Sequence, residues 1–489
     1  MKFSCLSFAL TASLLGCGPR VKSNPLPNGR FYYPTGVAFI PSQDEKKPDG
    51  FLYVANSNFD RRYDSGALSV VDLSVIGPLT LRSATGPGLS QLVGNDATAP
   101  LIPIELLNPG NQSVAQIADF ASEIDFFPQG TSSRLFIPTR AEGDYLQIVD
   151  ASQDVLSCVS DPSVDNLSRD CTVGALSLSS ATRTPQPKPR APLPYGVSIA
   201  RAGPFLGTVA VTHLQDADDP VGSLSNPEAY LFTTQAVNPY SQTHFVSLGT
   251  HPPNSVVAGG SWAYASGTYD LNNGYSILRM ISLDPNNPTV VDSTLEKAFN
   301  VSDTRGIAKM DPQFEITHPK APSSYDQRLF MLSRGPDALL VVKVDRSSTP
   351  PATQIVREIP LPSGPTEARI LRVPDLPGQD PSQNPSHDLV FIVCGDASEL
   401  VVYDESVGAL VAQLGGIGNQ PYDLAIDARL SSSSSSARIF ITAFNEGQVN
   451  VVSVPNLYQP QFLQRVARLG KNQFCLANPR DISCKGVVP

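Results

Sequence analysis

Phe51–Asp72, FLYVANSNFDRRYDSGALSVVD, decides how this sequence folds. Phe51–Ala55 is an apolar run of strand length, Ser65-Gly66 supplies turn chemistry, and Ala67–Asp72 forms a second strand. A looser copy, RLFIPTRAEGDYLQIVD, ends at Asp150, and further copies end at Asp284, Asp345 and Asp404. A hairpin that recurs along a chain marks one supersecondary unit repeated around an axis.

Working outward, each hairpin is preceded by an opening strand, often led by proline. These strands are PTGVAFIP at Pro34, ASEIDFFP at Ala121, PYGVSIA at Pro194, PNSVVAGG at Pro253, FEITHP at Phe314, PTEARILRV at Pro365 and PYDLAIDA at Pro421. The second strands (FLYVAN, RLFIPT, GTVAVTH, WAYASG, RLFMLS, LVFIVC, RIFITA) are apolar on both faces, as strands buried between two sheets must be. Several units add a weaker fourth strand, as at Ile355–Leu361, Ala409–Gly415 and Leu463–Gly470. Four antiparallel strands repeated about seven times describe an all-β, seven-bladed β-propeller over residues 31–470, with long loop insertions. A pair of β-sandwiches would account for the strand count, but not for the recurring order of opening strand, apolar strand, turn, strand and Asp. Ring closure is expected where Leu463–Gly470 meets Phe31–Tyr33.

Residues 34–74, PTGVAFIPSQDEKKPDGFLYVANSNFDRRYDSGALSVVDLS, resemble the YVTN-type propeller repeat, with a short insertion. Pro421–Pro455 and Pro365–Asp404 resemble it more loosely. The resemblance implies the propeller fold over most of residues 31–470 and leaves the activity open. Its family includes surface and periplasmic binding proteins, and related propellers include lactonases, lyases, redox enzymes and metal-cluster enzymes.

The N-terminus carries an address. MKFSCLSFALTASLLGC has one Lys and an apolar run too short to span a bilayer, the layout of an export signal over residues 1–16. Its ending resembles the bacterial lipobox, which implies that Cys17 is acylated and becomes the mature N-terminus. The mature protein would then be held to the cell envelope by lipid through a polar tether, residues 17–30. Gly18 stands where an inner-membrane retention signal would place Asp, so the outer membrane is the expected location. Export permits disulfides. Cys158 with Cys171 and Cys475 with Cys484 are the simplest pairs, the second in a C-terminal tail at residues 471–489, and Cys394 is left as a buried thiol. The net charge of −10 and the lack of clustered Lys and Arg argue against a nucleic-acid partner.

Chemistry is sparse. The five histidines form no metal-ligand pair, and there is no nucleophile elbow, phosphate loop or dinucleotide fingerprint. The propeller axis is the remaining candidate. Glu123, Asp125, Glu315, Glu367 and Asp423 lie near opening strands, and Arg305 and Arg369 stand close by in sequence. Such carboxylates would be neutralised by the arginines, hold a Ca²⁺ through oxygen ligands, or act as acid and base in lactone or ester hydrolysis. No resident metal or cofactor is expected under the first alternative. Two readings follow. One is a lipid-anchored scaffold that binds a protein or glycan through its loops, and the other is a channel-site hydrolase using a divalent metal. The insertions Ser74–Phe120, Gln153–Pro194, Asp216–Glu228 and Asp375–Asp388 are the loops that would carry binding, and the serine run Leu430–Ala437 reads as a surface excursion.

Overall fold

The computed structural model contains seven sheets built from successive stretches of chain. It describes residues 31–42, 49–61, 63–75, 99, 101–102, 113–140, 144–160, 169–178, 193–214, 230–240, 243–248, 253–267, 277–287, 289–293, 295, 301, 303–312, 315, 328–373, 387–431 and 434–470. Cys17, Cys475 and Cys484 lie outside these residues.

Blade 1 is Pro34–Ile40, Phe51–Asn56, Gly66–Asp72 and Val114–Ile117, and blade 2 is Asp125–Gln129, Ser132–Thr139, Tyr145–Ser152 and Val155–Cys158, with Leu176–Ser177 added. Blade 3 is Leu193–Ile199, Thr208–Leu214, Tyr230–Gln235 and Thr243–Ser247. Blade 4 is Val256–Gly259, Trp262–Ser266, Leu278–Ser282 and Val290–Asp292. Blade 5 is Thr304–Ile307, Arg328–Arg334, Asp337–Asp345 and Ala352–Pro360. Blade 6 is Pro365–Val373, His387–Cys394, Glu399–Asp404 and Ala409–Gly415. Blade 7 is Pro421–Ser431, Ser434–Ala443, Gln448–Val454 and Gln464–Leu469.

The core is a set of wedges between blades. Leu68, Val70 and Ala115 of blade 1 pack on Phe126, Leu135 and Val149 of blade 2. Phe39, Val54 and Val71 of blade 1 pack in turn on Phe440, Val451 and Leu469 of blade 7, which closes the ring. Both faces of each second strand are therefore buried, and this is why those strands read as unbroken apolar runs. The repeated Asp has a separate task. Asp72 accepts from the Ser74 amide at 3.0 Å, and Asp404 from the Ser406 amide at 2.8 Å. Asp284 and Asp345 likewise accept from the amides of Asn286 and Ser347. Each shapes the turn out of the third strand. Asp150 instead takes Arg134.

Three features depart from the sequence expectations. Blade 5 opens at Thr304–Ile307 and not at Phe314, because the chain then crosses to pair Lys309–Met310 in parallel with the inner strand of blade 6. The serine run is drawn into strand pairing on both of its described sides: Pro421–Ser431 and Ser434–Ala443 extend into it, with Ser431 opposite Ser434. The ring carries an extra clasp, since Leu101–Ile102 from the blade 1 insertion pairs in parallel with Arg468–Leu469 on the outer edge of blade 7. At the predicted closure point Gly470, at φ 98°, lies against Phe31, and a Cβ there would come within 2.7 Å of its ring. Cys158 and Cys171 form a disulfide, and Cys394 is a buried thiol whose burial pushes its pKa up to about 12.

Five inner strands slip by one residue against their second strand. The slips fall between Pro34 and Val37, Pro194 and Val197, Thr304 and Gly306, Pro365 and Glu367, and Pro421 and Leu424. Such a bulge unpairs an amide and re-aims the side chains around it. Second-strand hydroxyls take up amides at the bulges, where Gly196 donates to Thr212 Oγ1 at 3.2 Å and Asp423 to Thr442 Oγ1 at 3.0 Å, and at the start of the unbulged blade 4, where Ser255 donates to Ser266 Oγ at 3.0 Å. Thr442 Oγ1 in turn donates to Thr35 O of blade 1 at 2.9 Å. Replacing Thr442 by Val keeps the shape and strands both backbone groups. We expect a loss of about 1–3 kcal/mol in urea unfolding, with no change in the slope against denaturant.

Candidate functional site

A set of charged side chains gathers along the inner strands, two of them, Glu367 and Asp423, at the bulges of blades 6 and 7. Glu123 accepts from Lys309 Nζ and from the Val197 amide of blade 3 at 3.2 Å. Asp125 accepts from Arg201 and from the Ile199 amide at 2.9 Å. Arg201 also donates to Phe126 O at 2.6 Å and to Glu315 at 3.4 Å. Arg369 joins Glu367 to Asp423, the second at 2.8 Å, and Asp423 accepts from the Val37 amide of blade 1 at 3.0 Å. All of these charged side chains are buried.

The structure thus brings together Glu123, Asp125, Glu315, Glu367, Asp423 and Arg369, and it leaves out Arg305. That residue lies inside the blade 5 bulge, pairs with Asp303 at 2.9 Å and is 46% exposed. Two cations that sequence reasoning passed over, Arg201 and Lys309, take its place. Each follows the end of an inner strand, in SIARAG and GIAKMD, and a lone base next to an apolar run was the only available signal. Glu315 reaches the cluster from beyond its strand, through Arg201.

Carboxylates outnumber cations here, and the surplus shows in their protonation. Burial, opposed by Arg369 and reinforced by Glu123, pushes Glu367 up to about 8. Burial, opposed by Arg201, lifts Glu315 to about 7, and burial also raises Asp423 against the pull of Arg369. The donor set does not fit Ca²⁺: each carboxylate is held by an ammonium or guanidinium group. Among the described residues no three of His, Cys, Asp and Glu form a metal-ligand group.

The two ends of the channel differ. On the lower side of the ion pairs is a small cavity of about 30 Å³, with room for a few waters, lined by their own members Asp125, Arg201, Lys309 and Arg369 together with Phe39 and Met310 among others. Above them Tyr422 OH donates to Tyr195 OH at 2.6 Å, closing the gap between blades 7 and 3. Arg140 stacks on the Tyr195 ring at 5.3 Å. From Tyr422 an arc of rings runs outward: Phe444 at 6.1 Å, Tyr33 at 5.0 Å from Phe444, and Phe59 at 5.5 Å from Phe444. Phe120 ends the arc 5.4 Å from Phe59, with Arg61 stacked on it at 5.2 Å. Tyr33, Phe120 and Gln420 stand just before opening strands with φ of 45°, 53° and 50°, a left-handed backbone that side chains other than Gly rarely adopt.

Two expectations follow for the ion pairs. A carboxyl whose pKa rises on folding keeps a proton that the unfolded chain gives up, so its contribution is full below the unfolded value and is lost as pH rises. Stability should therefore fall as pH rises from about 4.5 towards about 8, and Glu367→Gln should flatten that slope in thermal scans. Lys309→Met leaves Glu123 buried without its cation and should cost about 3–5 kcal/mol at neutral pH in urea unfolding.

No protein-family model and no curated protein matches this chain. Among solved structures, it is similar to the β-propeller domain of Myceliophteria thermophila Cps50 (Swd1), with 11% identity and a TM-score of 0.44 over 88% of this chain and 97% of that one. It is also similar to apo AztD from Citrobacter koseri, with 10% identity and a TM-score of 0.39 over 91% and 95% of the two chains. Dihydro-heme d1 dehydrogenase NirN, solved in complex with DHE, matches at 10% identity and a TM-score of 0.40 over 94% of this chain and 77% of that one. Likeness at this level concerns the fold alone.

Proposed function

We propose that this chain is an exported, lipid-anchored β-propeller that binds a protein or glycan component of the cell envelope through the loops around its channel mouth. The supporting observation is a contrast between channel and face. The channel carboxylates are occupied by Lys309, Arg201 and Arg369 and by backbone amides of neighbouring blades, so their chemistry is spent on holding the ring. The face outside the tyrosine pair carries a contiguous arc of rings with Phe59 53% exposed. Exposed aromatic groups on loops held by a rigid scaffold are a common basis for binding. The hydrolase reading needs at least two of the same carboxylates to share a metal or a reacting group, and is not favoured by their pairing.

The lipid anchor rests on the lipobox-like end of the signal and the polar tether that follows it. Acylation at Cys17 would leave the propeller at the membrane surface, in the outer membrane by the residue at position 18. Cys17→Ala should abolish labelling by a palmitate analogue and release the protein from the membrane fraction. Retention of both would overturn the anchor. The binding role would fail if the purified protein hydrolysed lactone or ester substrates and lost that turnover, while staying folded, in Glu367→Gln.

A further inference from the structure

We propose that the channel cluster is a proton-operated latch on the channel mouth: a proton held among Glu123, Glu367 and Asp423 keeps the Tyr195–Tyr422 contact closed, and its loss loosens that contact. Such a latch would exist whether or not the mouth binds a partner.

Charges do not balance where these blades meet. Glu123 pairs with Lys309, and Arg369 is shared by Glu367 and Asp423, so three carboxylates face two cations. All five side chains are buried. Glu367 of blade 6 is faced by Arg369 of its own strand, Glu123 of blade 2, Lys309 of the crossing segment and Asp423 of blade 7. Beside them Arg201 is shared by Asp125 and Glu315, and Asp311 lines the adjoining cavity, so that side also has more carboxylates than cations. Buried carboxylates in such close company do not all ionise readily, and a shared proton removes the cost. Burial, opposed by Arg369 and reinforced by Glu123, keeps Glu367 protonated at neutral pH.

The backbone ties this charge to the mouth. Tyr422 and Asp423 are neighbours within the blade 7 slip between Pro421 and Leu424, and Asp423 is fastened to Arg369 and to the Val37 amide of blade 1. Tyr195 lies within the blade 3 slip between Pro194 and Val197, and the Val197 amide donates to Glu123. The two tyrosines therefore ride on the two carboxylates that share cations with Glu367. Burial above all, with Glu123 acting on both and Asp423 on Tyr422 against the pull of Arg140, raises both hydroxyls, so they stay protonated and bonded to each other. When the Glu367 carboxyl gives its proton to water, repulsion among the three carboxylates is relieved by parting the two bulges. Bulges are where a strand has the least ladder to break. Tyr422 also lies 6.1 Å from Phe444, so its movement reaches the rings of the face.

Amide hydrogen exchange of the full mature chain, read by mass spectrometry at about pH 6 and about pH 9 and corrected for the intrinsic rate, tests the latch. At the higher pH Leu193–Ile199 and Pro421–Ser431 should exchange about tenfold faster or more, while Asp337–Asp345 of blade 5 should change far less. Glu367→Gln keeps the shape and cannot ionise, so exchange at those two inner strands should no longer respond to pH. Tyr195→Phe removes the hydroxyl contact and should show the fast exchange already at about pH 6, with little further response. Equal acceleration in every blade, no acceleration in the unaltered chain, or an unaltered response in Glu367→Gln would each overturn the latch. If Glu367→Gln does not fold, Tyr195→Phe decides: a pH response as large as that of the unaltered chain overturns the latch, and fast exchange at both pH values supports it.

Discussion

The inner strand of a propeller blade is a sheet edge that faces the axis, and its outward amides must find acceptors away from bulk water. In this chain neighbouring blades provide them. Glu123 and Asp125 of blade 2 take the Val197 and Ile199 amides of blade 3, and Ser198 of blade 3 takes the Ala258 amide of blade 4 at 3.0 Å. Ser255 of blade 4 takes the Ile307 amide of blade 5, and Asp423 of blade 7 takes the Val37 amide of blade 1. At blade 6 the edge is covered by backbone instead: Lys309–Met310 lie parallel to Arg369–Ile370, and the Asp311 amide donates to Ile370 O. Once carboxylates are used for this purpose, Lys309, Arg201 and Arg369 become necessary to compensate them.

This division explains which parts of the molecule were legible in the sequence. The fold was, because its determinants are local and repeat. Second strands buried on both faces show as apolar runs, and turns out of the third strand show as Asp followed two residues later by Ser or Asn. The gathering of Glu123, Asp125, Glu367 and Asp423 was legible once strand positions were aligned. Blade 5 broke the alignment. Its inner strand is four residues long, and the chain then leaves to line blade 6, so FEITHP took the place of TRGI and Arg305 was put on the axis. Lys309 and Arg201 were hidden for a related reason, since each lies where its strand has already ended. The arc around Phe59 draws rings from four loops, and no spacing within one repeat could have assembled it.

Channel and face therefore do separate work. The channel is crossed by charged pairs below the Tyr195–Tyr422 contact and by Lys309–Met310 along blade 6, with a small water-sized cavity beside them. Cross-blade bonds of this kind make the ring a rigid support, and rigidity at the mouth lets five closely spaced rings be held on short loops. Gly36 illustrates how tight the arrangement is: a Cβ there would lie 2.5 Å from Ser122 O of the neighbouring blade.

The clasp of Leu101–Ile102 on Arg468–Leu469 links positions near the two ends of the propeller, and Arg468 Nε also donates to Ala99 O at 3.1 Å. Blades 1 to 5 each pair strands from one stretch of chain, and blade 6 adds only the earlier Lys309–Met310, so each can assemble as its own stretch becomes available. The last sheet and its seam with blade 1 cannot, because the residues that complete them come at the very end. A chain threaded through a membrane from its N-terminus would remain an open row of blades until residue 469 had crossed. The seam between blades 7 and 1 is then the slowest to form, and the natural place for a transient opening.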